Sequence, residues 1–421
     1  MTDRPLRIGV LGASRIAEDA IVGPARTLGH RLVAVAARDR GRAEAFAARF
    51  GVERVLGSYQ DVIDDPEVDV VYNPLANALH GPWNLAAVRA GKPVLSEKPF
   101  ARNVIEAQEV ADAARTAGVV VLEGFHHLFH PLMGRIRDLL DADTVGEIRQ
   151  IEVVMAMPSP GVDDPRWSYD LAGGALMDLG CYGLHMSRTL GRWCGGPPEI
   201  TGGSARLRGP QIDESAVIHV RFPNGATGVL ANSMIGTGSG GPGAGSEASG
   251  PNPHGAGSEA SGPNPHGAGS EASGPNPHGA GSEASGPNPH GAGSEASGPN
   301  PHGAGSEASG PNLHGAGSEA SGPEPHGAEY VFGLRVVGDS GSLFAHDFLG
   351  PNRDDRLTIV DAARGTVSVE HLGTRSTYTY QLEAFANAVL RGAPLPIDLD
   401  DAVENMRYLD TAYKAIGLDP R

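Results

Sequence analysis

Gly9-Val10-Leu11-Gly12-Ala13-Ser14-Arg15-Ile16-Ala17 is the stretch that decides the fold. It closes a run of apolar, mostly branched residues, Leu6 to Leu11, that reads as a buried strand ended by Gly12. Gly12, Ser14 and Ala17 take the three small positions of a dinucleotide-binding turn. Gly12 permits the tight turn, Ala17 lets the following helix approach the sheet, and the helix N-terminus offers N–H groups to a pyrophosphate. Ser14 stands where that pattern usually has glycine, so the neighbouring sequence has to support the reading.

It does so by alternation. Ile16 to Leu28 reads as a helix, Arg31 to Ala37 as a second strand and Arg42 to Phe50 as a second helix. Val68 to Tyr72, Pro93 to Ser96 and Val119 to Leu122 are further apolar strands, with helical stretches at Gly81 to Ala90 and Val104 to Thr116. Such alternation predicts an α/β domain over residues 1–124 with a doubly wound parallel sheet.

After Gly124 the grammar changes. His130 to Leu140 and Gly173 to Leu190 read as helices, Ile148 to Met157 as a long strand. Strand-like runs follow at Ile200 to Leu207, Ala216 to Phe222, Thr227 to Ser233, Leu334 to Val337, Ser342 to Ala345, Leu357 to Val360 and Thr366 to Leu372. With helices at Tyr380 to Leu390 and Asp401 to Ile416, residues 125–421 read as an α+β domain with a mostly antiparallel open sheet.

Residues 243–326 interrupt that domain with seven copies of a twelve-residue unit, Gly-Ala-Gly-Ser-Glu-Ala-Ser-Gly-Pro-Asn-Pro-His, broken only by Leu313 and Glu324. Almost without large apolar side chains, the block cannot bury enough surface to offset its ordering entropy and reads as a disordered surface loop. It falls between the strands at Thr227 to Ser233 and Leu334 to Val337, where a hairpin connection is expected. One histidine per unit leaves a weak metal tether as the rival reading.

The 421 residues carry a net charge of −17. An acidic chain is a poor match for a phosphate backbone, so no nucleic-acid partner is expected. Cys181 and Cys194 are the only cysteines, too few for a disulfide framework. The chain enters its first strand without an apolar leader, and no apolar run is long enough to span a bilayer. The expectation is a cytoplasmic protein without membrane contact.

Three places carry chemistry. In Ala36-Ala37-Arg38-Asp39-Arg40, at the end of the second strand, Arg38 suits the 2′-phosphate of NADP, while Asp39 keeps NAD open. Glu97-Lys98-Pro99 follows a buried strand and delivers a cation to the mouth of the crevice, although a structural salt bridge would also explain Lys98. Asp178, Tyr182 and His185, four and three residues apart, would share one helix face. A satisfied core network explains them alone, and a site facing a cofactor explains them together with Lys98. A nearby cation would make a phenol a usable base near neutrality. No metal-ligand cluster is visible, and no metal is needed.

Taken in order, Gly12 to Ala17, Asn77-Ala78-Leu79-His80, Glu97-Lys98-Pro99, Phe129-His130-Pro131 and Gly173-Gly174-x3-Asp178-x3-Tyr182 resemble the Gfo/Idh/MocA oxidoreductase family. The resemblance covers nearly everything outside the repeat block. It implies an N-terminal Rossmann domain and hydride transfer between NADP or NAD and a sugar, polyol or dihydrodiol. It places Gly12, Ser14, Arg15, Ile16, Arg38, Asn77, His80, Glu97 and Lys98 against the cofactor, with a structural role open for His80 and Glu97 anchoring the corner. Lys98, Tyr182 and Asp178 would be catalytic, with tyrosine where inositol dehydrogenases carry histidine. His126 and His185 would meet the substrate, and His127 and His130 lie nearby. Several branches carry arginine where Leu128 stands. A homo-oligomer through the C-terminal sheet is also implied. Two rival readings remain: a non-catalytic nicotinamide-binding sensor or regulator of the same fold, and an interaction protein built around the repeats.

Overall fold

The computed structural model describes residues 4–236, 330–362 and 364–421. The repeat block, with the disorder expected of it, lies outside the described residues.

Five strands whose side chains are buried on both faces form the first sheet: β1 (Arg7–Leu11), β2 (Arg31–Ala36), β3 (Val70–Asn73), β4 (Val94–Ser96) and β5 (Val121–Glu123). All pairs are parallel, in the order β2-β1-β3-β4-β5. The chain winds outward from β1 in both directions, so the crevice beyond the carboxyl ends of β1 and β3 is the switch point where such sheets bind ligands. The helix expected from Ile16 begins as a π-helical turn, Glu18–Val22, and continues as α1 (Gly23–Leu28). α2 (Arg40–Phe50), α4 (His80–Arg89) and α5 (Val104–Ala117) match the sequence pattern, α2 capped by Asp39 and α5 by Asn103. Between them α3 (Tyr59–Asp64), capped by Ser58, was not expected: it buries only Val62 and Ile63 and is too short to show a period.

The second half contains α6 (Pro131–Asp141), β6 (Ile148–Ala156), a π-helical turn at Leu176–Gly180 and α7 (Cys181–Leu190). Then come β7 (Glu199–Gly209), β8 (Ile212–Arg221), β9 (Thr227–Ser233), β10 (Val331–Gly338), β11 (Gly341–Ala345), β12 (Arg356–Asp361) and β13 (Thr366–His371). The eight strands of this sheet run β13-β12-β11-β10-β6-β9-β8-β7, antiparallel except for β6 beside β9. That order corrects one expectation. β9 and β10 do not form a hairpin; β6 lies between them, and Ser233 and Val331 both register with Ala156 from opposite sides.

The chain ends in α8 (Thr377–Arg391) and α9 (Leu399–Ala415), and both return to the first half. Leu382, Phe385 and Ala386 of α8 join Ile21, Val22 and Ala25 in one buried cluster. α9 lies on α5 and puts Val403, Met406 and Leu409 into the core that holds Ala107, Val110 and Ala114. Among the described residues no helix is long and apolar enough to cross a membrane.

Candidate active site

The corner after β4 is held from behind. Glu97, buried, accepts from the Tyr72 hydroxyl at 2.9 Å, and the Glu97 N–H donates to Asn73 O at 3.0 Å. His80 is buried with Nδ1 2.7 Å from Pro99 O and Nε2 2.8 Å from Leu75 O. Its neutral ring donates its one N–H to one of these two carbonyls, and between them it braces the corner.

Lys98 emerges from this corner. Its Nζ donates to Asp178 O at 2.8 Å and to Asp178 Oδ1 at 3.0 Å, with both side chains 14% exposed. Burial works to lower the Lys98 pKa, but Asp178, then Cys181 and Glu97, outweigh it and leave it raised. Burial likewise works to raise the Asp178 pKa, and Lys98 and Arg166 overcome it, so the carboxylate stays charged. The second oxygen of Asp178 meets Arg166 Nε at 3.3 Å. An ammonium has three N–H donors, so Lys98 keeps one for a ligand.

Asp178 is placed by the π turn, and the π turn by Gly174. Gly174 sits at φ +118°, and a Cβ there would run into the Asp213 carboxylate. That carboxylate accepts from the Leu176 N–H at 2.5 Å and pairs with Arg421 at 3.0 Å, fixing where the turn begins.

Tyr182, on the first turn of α7, lies under the lysine, with Lys98 Nζ 5.2 Å from its ring centre. Its hydroxyl is 3.1 Å from His126 Nε2, and His126 Nδ1 is 2.8 Å from Thr377 Oγ1. Burial, with Tyr378 and Glu97 adding to it, pushes the Tyr182 pKa well above 10. Lys98 is committed to Asp178, and at the phenol desolvation works against the expected effect of a cation making it a base near neutrality.

The π turn also takes Asp178 out of the expected alignment, while Tyr182 and His185 stay on one face of α7 against Phe125. A turn closed by i→i+5 bonds shifts the face that follows. Asp178 meets Lys98, Tyr182 meets His126, and His185 meets neither. The His185 ring stacks on Phe125 at 4.1 Å and its Nε2 lies 2.9 Å from Asp401, which also pairs with Arg188. It ties α7 to α9. His130 caps α6 by accepting from the Leu132 N–H, and His127 is fully buried with neither ring nitrogen bonded among the described residues. Arg166, Thr377 and Tyr378 were missed by the sequence reading. They come from an irregular loop and from the start of α8, and no motif links them to Lys98.

On the cofactor side Gly12 sits at φ +91°, and a Cβ there would lie 2.9 Å from Leu75 Cδ2, so the turn needs glycine. Ser14 Oγ is buried and unpartnered among the described residues, a donor left at the place a pyrophosphate would take. Arg42 reaches Ala13 O at 3.0 Å, Arg40 pairs with Glu44, and Asp39 is engaged as the α2 cap. Arg38 is exposed and makes no such bond among the described residues. The segment 157–175 crosses the crevice mouth: Asp164 pairs with Arg15 at 3.1 Å, and Ala172 O accepts from Asn77 at 3.0 Å. Ile16 is 38% exposed. These residues fit a dinucleotide.

Comparisons with known proteins agree with the geometry. Residues 6–125 match the family described as "Oxidoreductase family, NAD-binding Rossmann fold", and residues 133–243 match the GFO/IDH/MocA C-terminal domain. The chain is 36% identical over 242 residues to a dTDP-3,4-didehydro-2,6-dideoxy-alpha-D-glucose 3-reductase of Streptomyces violaceoruber, covering 56% of this chain and 68% of the relative. It is 33% identical over 230 residues to a D-xylose 1-dehydrogenase (NADP(+)) of Haloferax volcanii, covering 54% and 70%. The fold resembles that of a 3-ketoreductase from Actinomadura kijaniata, solved with NADP and TDP-benzene: TM-score 0.69, 22% identity, 98% of each chain.

Proposed function

The chain belongs to the Gfo/Idh/MocA family of NAD(P)-binding oxidoreductases, and from that premise we propose that it interconverts a carbonyl and an alcohol on a sugar or polyol, with NADP(H) preferred. One observation carries the reading. Lys98 spends two N–H groups on Asp178 and stands over Tyr182, so its third N–H is left for a substrate oxygen, and the phenol O–H joins it when His126 Nε2–H donates to the phenol oxygen. In the reductive direction the phenol, held protonated, gives its proton to the carbonyl oxygen while the ammonium stabilises the negative charge developing there. A bound nicotinamide supplies or accepts the hydride, which no side chain can. Asp178 holds Lys98 in place and charged. Arg38, uncommitted at the end of β2, supports NADP through a charge-assisted contact to its 2′-phosphate.

Sugar-directed relatives support the substrate class. Phe344, Val367 and Val369 are exposed on the open face of the second sheet, which supports self-association there. Cys181 and Cys194 are free and buried, as suits a reducing cytoplasm.

The test is a panel of keto sugars, aldoses, inositols and dihydrodiols with NADP(H) and NAD(H), followed by nicotinamide absorbance in wild type and Tyr182→Phe. Turnover on a sugar-like compound that falls roughly 10²-fold in Tyr182→Phe, with cofactor affinity unchanged, is expected. Stoichiometric cofactor binding with no turnover on any of them would favour a sensor instead.

A further inference from the structure

The hydrogen-bond chain that starts at Tyr182 continues past His126. Thr377 Oγ1, 2.8 Å from His126 Nδ1, also reaches the Leu349 carbonyl at 3.4 Å. A carbonyl only accepts. Thr377 therefore directs its single proton there and accepts from Nδ1–H, which leaves the Nε2 lone pair facing the phenol O–H. The reverse gives up the longer Leu349 contact: Thr377 donates to Nδ1, and Nε2–H donates to the phenol oxygen. The two arrangements differ by proton positions along one line, and in both the phenol and imidazole are neutral.

We propose that His126 and Thr377 are a proton relay, carrying the substrate's hydroxyl proton from Tyr182 to water on the far side of the site. His126, assigned to substrate by the sequence reading, is here a positioning residue that acts through Tyr182. His126 and Thr377, 3% and 2% exposed, both line a cavity of about 360 Å³. Its rim carries the exposed Glu18, Asp19 and Asn352, and none of the phosphate-turn residues Gly12 to Ile16 lines it. A polar cavity of this size holds water. Tyr378 packs against the His126 ring, centroids 3.9 Å apart at a 31° tilt, and keeps it aimed along the line.

The step balances. In oxidation the substrate O–H proton passes to the Tyr182 oxygen as the phenol proton passes to His126 Nε2. The Nδ1 proton passes to Thr377 as the Thr377 hydroxyl turns from the Leu349 carbonyl and gives its own proton to cavity water. The substrate C–H bond breaks with its electron pair, leaving as hydride to the oxidised nicotinamide cofactor. Reduction runs the same line backwards. The groups facing the ring explain why the protons must move together. Burial, then Lys98 and Arg353, hold the His126 pKa at about 3. His127, Tyr378 and Tyr182 bring only neutral rings to it, and Arg353 is itself paired with Asp347. Neither the imidazole nor the phenol can hold the charge alone.

The relay rests on the function proposed above, with Tyr182 exchanging the proton. Four variants, one spectrum and one proton inventory test it. In substrate-free wild type, ¹⁵N NMR of histidine-labelled protein should find His126 neutral, with the proton on Nδ1, down to roughly pH 4. Thr377→Val should lose about 10-fold or more in kcat with KM and cofactor affinity unchanged, and Thr377→Ser should recover it. His126→Ala should lose roughly 10²-fold and regain part of it with added imidazole. The proton inventory in mixed H₂O and D₂O should be curved in wild type and linear in Thr377→Val. Wild-type turnover in Thr377→Val and His126→Ala, beside an inactive Tyr182→Phe, would overturn the relay alone. Wild-type turnover in Tyr182→Phe would overturn the functional reading beneath it. A His126 found as the imidazolium at neutral pH would also overturn the relay.

Discussion

Lys98 and Arg38 show what two cations of one chain are free to do. Lys98 is two-thirds committed to Asp178 at 2.8 and 3.0 Å, and its remaining N–H is the functional one. Lys98→Ala should therefore leave the fold and cofactor binding intact and lower kcat by roughly 10²-fold or more. Steady-state kinetics beside a cofactor titration decides it, and near-wild-type turnover in the folded variant would remove Lys98 from the chemistry. Arg38 has no partner among the described residues, so its removal exposes no buried charge. Arg38→Ala should weaken NADP about 10-fold or more and NAD hardly at all, because only NADP carries a 2′-phosphate to pair with it. Equal losses for the two cofactors in a fluorescence titration would shift the selectivity to Asp39.

Among the elements, what was legible followed from local pattern, and what was not followed from partners distant in sequence. β1 to β5 could be read because buried parallel strands are continuous apolar runs. The Lys98 corner, Asp178 and Tyr182 could be read because their spacing is short. The π turn could not, since its inserted residue leaves no mark in an apolar helix, and it holds Asp178 apart from the α7 face that Tyr182 and His185 share against Phe125. His126 and Thr377 lie 251 residues apart and meet only because α8 folds back. Strand order was hidden too, because nothing in Thr227–Ser233 or Val331–Gly338 tells that β6 will lie between them. That order sets the outcome of deleting the repeats. Ser233 and Val331 flank Ala156, so their separation is two strand spacings, about 10 Å. Removing residues 243–326 leaves residues 237–242 and 327–329 as a linker, enough to cross the end of β6 at about 3.3 Å per residue. Activity and melting temperature should be nearly unchanged. Joining Gly236 directly to Tyr330 should lower the melting temperature by several degrees or prevent folding. A large drop in the longer-linked form would mean that the repeats contribute to stability.

For the whole molecule, buried neutral histidines set the response to acid. Burial, then Lys98 and Arg353, hold His126 at about 3, and burial, then His185 and His126, hold His127 well below 6.5. The unfolded chain takes up these protons near pH 6.5 and the folded one does not, so stability falls as pH drops from about 6.5 toward 3. Each histidine steepens the fall by up to about 1.4 kcal/mol per pH unit. Urea titrations at pH 7, 6 and 5 should show this. His127→Phe, which removes two nitrogens that are unbonded among the described residues, should flatten the slope. An unchanged slope would place the acid sensitivity elsewhere. The return of α8 and α9 onto the first sheet has a further consequence, in time. During synthesis the first 124 residues emerge with Ile21, Val22 and Ala25 on one side and Ala107, Val110 and Ala114 on the other still waiting for side chains of α8 and α9. The nucleotide-binding half thus leaves the ribosome long before its covers are made, in the condition that invites aggregation or a chaperone. Expressed alone, residues 1–124 should be insoluble or should bind a hydrophobic dye. Supplying residues 374–421 on a flexible linker should reduce both, and a soluble, cooperatively melting fragment without them would show that the half closes unaided.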